Sequence, residues 1–355
     1  MICSHFPDEH SDTRGLSMAF WWLLHTSLWA GILCSTCQAD QPYIAFNKTN
    51  RVILDIGRKG SFDSTQAKYP SILRDGKTWW MWYNGRSDDR FTGSIGLATS
   101  QDGVHWKKQN GGGPVFKHGE PGTFDSTKVD HPTVVRYDGK FHMWYTAGDV
   151  ASRYKIGYAT SKDGREWTRQ NGGRPVLGPG RKGQFDDQVV LHPTVVRDAR
   201  GVLHLWYNGV GPQKSFRVGH ATSQDGVHWT RSNNGKPVLT PGRVGSFDEG
   251  YVYNVFVMLH EGKFHMWYSA WAKNDRTTGP NHNGIVHAVS QDGDHWVKDP
   301  VPTLTNGPSG SIDEYACFAC YLVRRDRRWW MYYSTAVGKG GRFYRVSLAK
   351  SRRGE

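Results

Sequence analysis

The sequence predicts an all-β fold, and three observations lead to that prediction. Glycine and aromatic residues are frequent together, with 42 Gly, 16 Trp, 16 Tyr and 15 Phe among 355 residues, which is typical of short strands joined by tight turns. Asp-Gly pairs recur between strand-forming runs, and no long stretch after residue 40 has the period of a helix. A mean hydropathy of −0.63 and only five Cys exclude a multi-span membrane protein and a disulfide scaffold.

A unit of about sixty residues is repeated five times along the chain. Its first mark is a hydrophobic residue followed by Asp, and the intervals between these aspartates are 62, 61, 62 and 65 residues. Its other marks are a second segment ending in Trp-Tyr or Tyr-Tyr and a third segment such as IGYATSKDGREW at 156–167. The repeated aspartates are Asp63, Asp125, Asp186, Asp248 and Asp313. Because all units share these residues, we interpret the aspartates as turn acceptors and the repeated Trp as packing residues.

Each unit supplies four candidate strands, which in the second unit are 129–136, 140–147, 154–161 and 166–169. The Asp-Gly pairs between them are type I′ turn signals, so neighbouring strands are antiparallel. Four antiparallel strands repeated radially form the blades of a β-propeller. The sequence therefore predicts a five-bladed β-propeller with four antiparallel strands per blade.

The last unit ends before its fourth strand, and the start of the domain supplies a replacement. Residues 46–54 resemble the fourth strand of the second unit, and both lead into Gly-Arg-Lys-Gly and then Phe-Asp. We therefore expect residues 43–56 to pair with the strand at 343–350 and to close the ring, which removes the exposed strand edges of an open array. A single propeller domain over residues 40–355 follows.

Residues 1–39 are predicted to be a signal peptide, and the protein is predicted to be secreted or periplasmic. The long apolar run at 18–34 is followed by Cys37 and Ala39, small residues that suit cleavage before Asp40. Two alternatives stay open: translation from Met18, and retention of the apolar run as a single-span anchor. We expect no other membrane contact and no nucleic-acid partner, because no basic run is interleaved with aromatic residues.

The formal net charge of +13 becomes +15 when residues 1–39 are removed, because that segment carries three acidic residues and one arginine. Such a charge suits an acidic polysaccharide, and it is equally the charge of an ordinary solvated surface. Only Cys317 and Cys320 remain in the domain, and a CxxC pair on a strand points to opposite faces. Buried free thiols are therefore expected, with no metal and no cofactor.

Catalytic residues must differ between blades, because a substrate meets each blade once. The first strand of each blade lines the central channel of a propeller. Two positions of this strand differ from blade to blade: the residue directly before its proline and the residue one step earlier. Varying positions and channel loops give the candidate binding residues Lys68, Tyr69, Arg86, His131, His192, Asn254 and Trp271. The candidate acids are Asp130, Asp187, Glu249 and Glu314. Asp130 lies on a channel strand next to His131, and no other blade has an acid at the equivalent position. Its partner across the channel is expected to be Glu249 or Glu314.

These repeats resemble the arabinanase, invertase and levansucrase superfamily of five-bladed propellers, which includes glycoside hydrolase families 43, 32, 62 and 68 and the mannoside phosphorylases of family 130. The resemblance covers about residues 43–350 and implies cleavage of glycosidic bonds by paired carboxylates. A family-43-like enzyme has Asp directly before the first-blade proline, whereas this chain has Tyr69. The expected function is an exported glycoside hydrolase acting on a poly- or oligosaccharide, and the alternative is a non-catalytic glycan-binding propeller. Metal-dependent hydrolysis through His131 and His192 is a weaker third hypothesis.

Overall fold

The computed structural model describes residues 44–87, 92–271, 283–338 and 341–352. The predicted signal peptide lies outside these ranges. The described chain consists of strands with three short 3₁₀ turns, at Asn110–Gly112, Asn171–Gly173 and Asn233–Gly235. The all-β prediction is confirmed. Within the described residues, no helix is long and apolar enough to span a membrane.

The strands form five antiparallel groups, called units 1 to 5. Unit 1 contains β2 (Gln66–Asp75), β3 (Thr78–Arg86), β4 (Gly93–Ser100) and β5 (Lys107–Lys108). Unit 2 contains β6 (Lys128–Tyr137), β7 (Lys140–Gly148), β8 (Tyr154–Ser161) and β9 (Thr168–Arg169). Unit 3 contains β10 (Val189–Arg197), β11 (Leu203–Val210), β12 (Arg217–Ser223) and β13 (Thr230–Arg231).

Units 4 and 5 follow the same order. Unit 4 contains β14 (Tyr251–His260), β15 (Lys263–Trp271), β16 (Asn283–Ser290), β17 (Val297–Lys298) and the short β18 (Leu304–Thr305). Unit 5 contains β19 (Ala316–Arg325), β20 (Arg328–Val337), β21 (Phe343–Ser351) and, from the start of the domain, β1 (Phe46–Leu54). The predicted pairing of the N-terminal strand with the last strand is confirmed: Lys48 lies opposite Ala349, and Val52 lies opposite Ser347.

A buried tyrosine, aspartate and cation hold each unit together. In unit 1 the hydroxyl of Tyr83 donates to Asp63 over 3.0 Å, and Lys108 Nζ lies 2.5 Å from the same carboxylate. The repeated Asp is fully buried, so the cation and the hydroxyl together compensate for its loss of hydration. In unit 5 the cation is Lys48 of β1, 2.6 Å from Asp313. The corresponding trios elsewhere are Tyr145–Asp125–Arg169, Tyr207–Asp186–Arg231 and Tyr268–Asp248–Lys298.

Neighbouring units are joined through the Asp-Gly turns. Trp82 of unit 1 donates from Nε1 to the carbonyl of Gly164 in unit 2 over 2.9 Å, and Trp144 and Trp206 repeat this contact with Gly226 and Gly293. Unit 5 has no such turn, and the indole nitrogen of Trp267 in unit 4 accordingly lacks a hydrogen-bond partner among the described residues. These contacts explain why the Asp-Gly segment is repeated as a whole: its carbonyl binds the Trp of the preceding unit.

The first strands contact one another in chain order, from β2 through β6, β10 and β14 to β19, and β19 also contacts β2. Cys317 and Cys320 of β19 are buried free thiols, as expected, and burial raises the pKa of both. At one end, the starts of these strands form the candidate site. At the other end, they run into the tight turns that connect first and second strands.

A histidine pair in unit 4, with His287 buried and His265 half-buried, makes stability depend on pH. His265 Nδ1 lies 3.1 Å from His287 Nε2, and His287 Nδ1 lies 3.0 Å from Asp299. Burial first, and then the neighbouring His287, lower the pKa of His265 from 6.5 to about 4. The unfolded chain therefore binds more protons between pH 6.5 and 4, so the free energy of unfolding must fall as the pH falls through this window.

We expect the urea midpoint to drop between pH 7 and pH 5, and the drop to be smaller in His265→Gln. The control is the exposed His118→Gln, which leaves the contact between His265 and His287 intact. An equal slope in wild type and His265→Gln would assign the pH dependence to other groups.

Candidate functional site

The candidate site lies where the five first strands begin, and each strand is bulged there. The antiparallel register shifts at the same point of every first strand, and the residue at the bulge has a positive φ. These residues are Tyr69 (56°), His131 (47°), His192 (53°), Asn254 (51°) and Ala319 (48°). Non-glycine residues rarely adopt this conformation, and bulges re-aim side chains next to binding sites. The residues that differ between units directly before the proline, or before its replacement, are therefore the bulge residues.

The bulges bring three of the predicted residues into one cluster. The ring centroids of Tyr69 and His131 are 4.5 Å apart, those of His131 and His192 are 4.7 Å apart, and those of Tyr69 and His192 are 5.9 Å apart. Phe318 completes one side, 5.8 Å from Tyr69. Three different units therefore contribute to one packed cluster, which sequence distance alone does not reveal.

A polar side chain from the preceding unit fixes most of the bulges. The backbone N–H of His192 donates to Thr146, that of Asn254 to Asn208, and that of Tyr69 to Ser334 of unit 5. In unit 2 the pattern breaks: His131 N–H donates instead to its own neighbour, Asp130 Oδ1, over 2.7 Å. Asp130 thus has one oxygen fixed by the backbone. It is the carboxylate that the sequence pattern placed on a channel strand.

Two buried polar side chains in the cluster have no hydrogen-bond partner of normal geometry among the described residues. They are His131, at both ring nitrogens, and Asn254, at both amide atoms, with 8% and 2% of their surfaces exposed. Burial lowers the pKa of His131 to about 4, so its ring is neutral and can both donate and accept. Buried polar groups are normally hydrogen-bonded. These atoms therefore suit a polar ligand or ordered water, and sugar hydroxyls offer the matching donors and acceptors.

A partly buried lysine stands beside the cluster. Lys68 Nζ lies 4.5 Å from the ring centroid of Tyr69 and 4.6 Å from that of Tyr344, so two aromatic faces hold the ammonium. Burial lowers the pKa of Lys68 to about 8, against the opposing effect of Asp130 and with the help of Arg86 and Lys128. Three cations and one carboxylate thus influence the same region, leaving an excess of positive charge.

Aromatic residues line a cavity next to Lys68. The cavity has a volume of about 370 Å³ and is lined by Lys68, Tyr69, Tyr253, Trp271 and Tyr344, among others. Trp271 stacks on Tyr251 with centroids 5.5 Å apart and is 39% exposed, so its outer part is open to a ligand. Aromatic faces bind the apolar faces of sugar rings. Lys68, Tyr69 and Trp271 thus line one cavity, and their role in binding a sugar stays a prediction.

The other three candidate acids make a different contact. Asp187 accepts a hydrogen bond from the N–H of Gly183 over 2.7 Å, Glu249 from Gly245 over 2.6 Å, and Glu314 from Gly310 over 2.5 Å. In all three cases the donor is a glycine four residues earlier, so the carboxylate closes the turn between the two residues. This contact favours a turn-capping role for all three, and their catalytic role stays a prediction.

Two features of the site were missed by the sequence reasoning. Tyr344, from the last strand, lies on Lys68 and faces Phe318 with ring centroids 5.7 Å apart. Phe216, from the loop before β12, packs 6.3 Å from His192 and 6.0 Å from Tyr253. Both lie outside the repeated segments, and their only signal is that they are aromatic residues next to a channel loop. In the described part of the chain, no group of three His, Cys, Asp or Glu residues is arranged to hold a metal ion.

Comparison with known sequences identifies relatives of mostly unknown role. No known protein-family profile matches the chain. Two uncharacterized proteins from strains of Mycobacterium tuberculosis are 31% identical over 206 residues, which is 56% of this chain and 64% of their own length. A 1,2-beta-oligomannan phosphorylase of Thermoanaerobacter sp. is 25% identical over 163 residues, or 43% of this chain and 53% of that enzyme. The chain thus matches less than two thirds of the length of these relatives.

Comparison with solved structures establishes the fold. A glycoside hydrolase of family 130 that targets beta-1,2 mannosidic linkages in Candida mannan gives a TM-score of 0.69 at 18% identity, with 88% of this chain and 94% of that protein covered. A glycosyl hydrolase from Bacteroides ovatus gives 0.68 at 17% identity, covering 86% and 93%. A thermostable family-43 glycoside hydrolase gives 0.63 at 20% identity, covering 81% and 90%. The chain therefore has the fold of these glycoside hydrolases.

Proposed function

We propose that this protein acts on the glycosidic bonds of an oligosaccharide held at the start of the channel, with Asp130 as the acid. The observation that carries the proposal is the grouping of Asp130 with His131 and Asn254, whose buried side-chain polar atoms make no hydrogen bond of normal geometry among the described residues. The fold of glycoside hydrolases and the relation to an oligomannan phosphorylase support a glycoside-active protein. We further propose that residues 1–39 direct export.

The architecture behind this proposal is a closed ring of five blades. Three contacts between units 5 and 1 support closure: Tyr332 hydroxyl donates to Gly103 carbonyl over 3.0 Å, Tyr69 N–H donates to Ser334, and Trp79 stacks on Trp330 with centroids 6.2 Å apart. A closed ring holds the five bulges around one axis. That arrangement lets residues from units 1, 2, 3 and 4 meet one sugar.

In the proposed reaction Asp130 gives its proton to the glycosidic oxygen as the bond to the anomeric carbon breaks. Fixing one Asp130 oxygen on the N–H of His131 leaves the other oxygen to carry the proton toward the leaving group. His131 and Asn254 would hold the sugar hydroxyls, and Trp271 would stack on a sugar face. In hydrolysis, water attacks the anomeric carbon and gives its proton to a base, for which Glu249 and Glu314 remain the proposed residues.

Phosphorolysis is the second candidate, and the charges of the site favour it. A phosphate nucleophile needs no protein base, so a single carboxylate suffices when cations hold the anion. Asp130, Arg86 and Lys128 all act electrostatically on Lys68, so cations outnumber carboxylates among these four groups, and a relative is a phosphorylase. In this version the phosphate oxygen attacks the anomeric carbon, and Asp130 protonates the leaving sugar. The product would be a sugar 1-phosphate.

The deciding experiment is a screen of purified protein against manno-oligosaccharides and plant and algal oligosaccharides, with and without inorganic phosphate. Reducing sugar released without phosphate identifies hydrolysis, and sugar 1-phosphate formed only with phosphate identifies phosphorolysis. Binding without turnover, detected by calorimetry on the same panel, would support the non-catalytic glycan-binding alternative. If the protein shows no turnover and no binding on this panel, the proposal is contradicted.

Lys68 gives the proposed activity a pH signature. Since its pKa is about 8, the ammonium loses its proton as the pH rises through 8, and any anion or hydroxyl that it holds is then bound less well. We expect kcat/KM to fall above pH 8, and Lys68→Arg, which keeps its charge, to move this fall to higher pH. Lys155→Arg, at a partly exposed lysine of β8, is the matched control. An alkaline limb that is identical in wild type and Lys68→Arg would exclude Lys68 as its origin.

A further inference from the structure

A second cavity lies at the end of the channel opposite the candidate site. Its volume is about 700 Å³, and the far ends of all five first strands line it. Four units place an arginine at the same position, four residues after the proline or its replacement, and unit 4 has Leu259 there. These four residues, called the arginine ring, are Arg74, Arg136, Arg197 and Arg324.

An aromatic side chain holds each guanidinium of the arginine ring. Arg197 lies 5.1 Å from the ring centroid of Tyr137, and Arg324 lies 5.0 Å from that of Trp329. Arg74 and Arg136 lie 5.4 Å and 5.1 Å from the centroids of Trp79 and Phe141. A guanidinium already held by a ring loses less conformational freedom when it binds an anion. Arg136 differs from the others, because it also pairs with Asp75.

The charge around this cavity is positive at the centre and negative outside. The turns between first and second strands carry eleven Lys and Arg against five Asp and Glu, a formal charge of +6, in the segments 74–77, 136–140, 197–200, 260–263 and 324–328. The turns between third and fourth strands lie at the same end, as the contact of Arg325 with the carbonyl of Asp102 shows. They carry six acidic and two basic residues, in the segments 101–105, 162–166, 224–228 and 291–295.

We propose that the arginine ring binds a segment of an acidic polysaccharide, one that carries closely spaced carboxylate or sulfate groups. Arginine binds both groups through paired hydrogen bonds, and a cavity lined by four arginines against the one carboxylate of Asp198 concentrates an anion at its centre. A flat anionic bilayer fits less well, since it would meet the acidic outer turns as well as the arginines. The site is separate from the proposed sugar site, so it would anchor a polymer without taking part in its cleavage.

The test is calorimetry at low and at physiological salt with two probes, a galacturonic acid hexamer and a heparin hexasaccharide. We expect Arg74→Gln, Arg197→Gln and Arg324→Gln each to weaken binding about tenfold, the usual loss for one charged hydrogen-bond donor. Arg136→Gln should weaken binding less, because the Arg136 guanidinium is already paired with Asp75. The fourfold variant should lose measurable binding. Preference for one probe tells carboxylate from sulfate recognition.

The matched control is a fourfold variant that removes the same charge from exposed positions elsewhere, namely Lys107→Gln, Lys117→Gln, Arg174→Gln and Lys236→Gln. If it weakens binding as much as the arginine-ring variant, only net charge matters and the proposal is wrong. Absence of binding to both probes at low salt, or binding to phosphatidylserine vesicles that exceeds binding to the oligosaccharides, would also overturn it. Single variants keep the test decisive if the fourfold variant fails to fold.

Discussion

Asp130→Asn should abolish most cleavage activity while leaving the fold intact. The asparagine oxygen can still accept the hydrogen bond that His131 N–H gives to Asp130 over 2.7 Å, so the bulge at His131 keeps its support. The amide cannot release a proton to a glycosidic oxygen. We therefore expect kcat to fall at least about a hundredfold, the usual worth of a general acid or base. The measurement is initial rate on the substrate found by the screen, with thermal unfolding to verify the fold.

Asp187→Asn, Glu249→Gln and Glu314→Gln are the comparison variants. Each should keep its hydrogen bond from the glycine four residues before it, because the amide oxygen still accepts. If these carboxylates only cap turns, all three variants should stay near wild-type activity. In that case the activity that Asp130→Asn loses should be one that requires phosphate. A hundredfold loss in Glu249→Gln or Glu314→Gln would identify the base of a hydrolase. A folded and fully active Asp130→Asn would remove Asp130 from the mechanism.

The repeated elements could be predicted because each obeys a short-range rule. The Asp-Gly pairs fix hairpin turns, so strands such as Lys140–Gly148 and Tyr154–Ser161 lie within a residue or two of their predicted positions. One repeated signal was visible but not interpreted. A cation stands two residues after the Trp that follows each Asp-Gly turn, as in Lys108 after Trp106, and Lys48 after Phe46 continues the series. It is the cation that pairs with the repeated aspartate.

The site could be predicted only in part, because its geometry depends on bulges and on contacts between units. The sequence placed Tyr69, His131 and His192 in one column, and the structure brings their rings together. The sequence could not show which way the Glu249 side chain points, since an acid after the repeated Asp can point to the channel or back to its own loop. It also could not supply Tyr344, which reaches Lys68 from a strand of another unit.

The N-terminal strand should be indispensable for cooperative folding, and a chain that begins after residue 56 should lose it. Without β1, the edge of β21 is unpaired, buried Leu54 leaves the core, and the carboxylate of Asp313 is buried without Lys48. An open edge and an uncompensated buried charge both disfavour the folded state. We expect a broad unfolding transition at a much lower temperature than in the full chain, together with aggregation through the exposed edge. A truncated chain that melts like the full chain would contradict the proposed closed ring.

A single substitution separates the ion pair from the strand. Lys48→Met keeps the length of the side chain and the pairing of β1 with β21, but it leaves the Asp313 carboxylate without a cation, held only by the hydroxyls of Tyr333 at 3.3 Å and Ser311 at 3.1 Å among the described residues. Breaking one partner of a buried pair should lower the free energy of unfolding by about 3 kcal/mol. Arg51→Met, on the same strand but exposed, removes equal charge and should change it by less than about 0.5 kcal/mol. Equal urea midpoints for the two variants would mean that β1 closes unit 5 through backbone pairing alone, whereas a selective loss in Lys48→Met assigns part of the closure to the pair between Lys48 and Asp313.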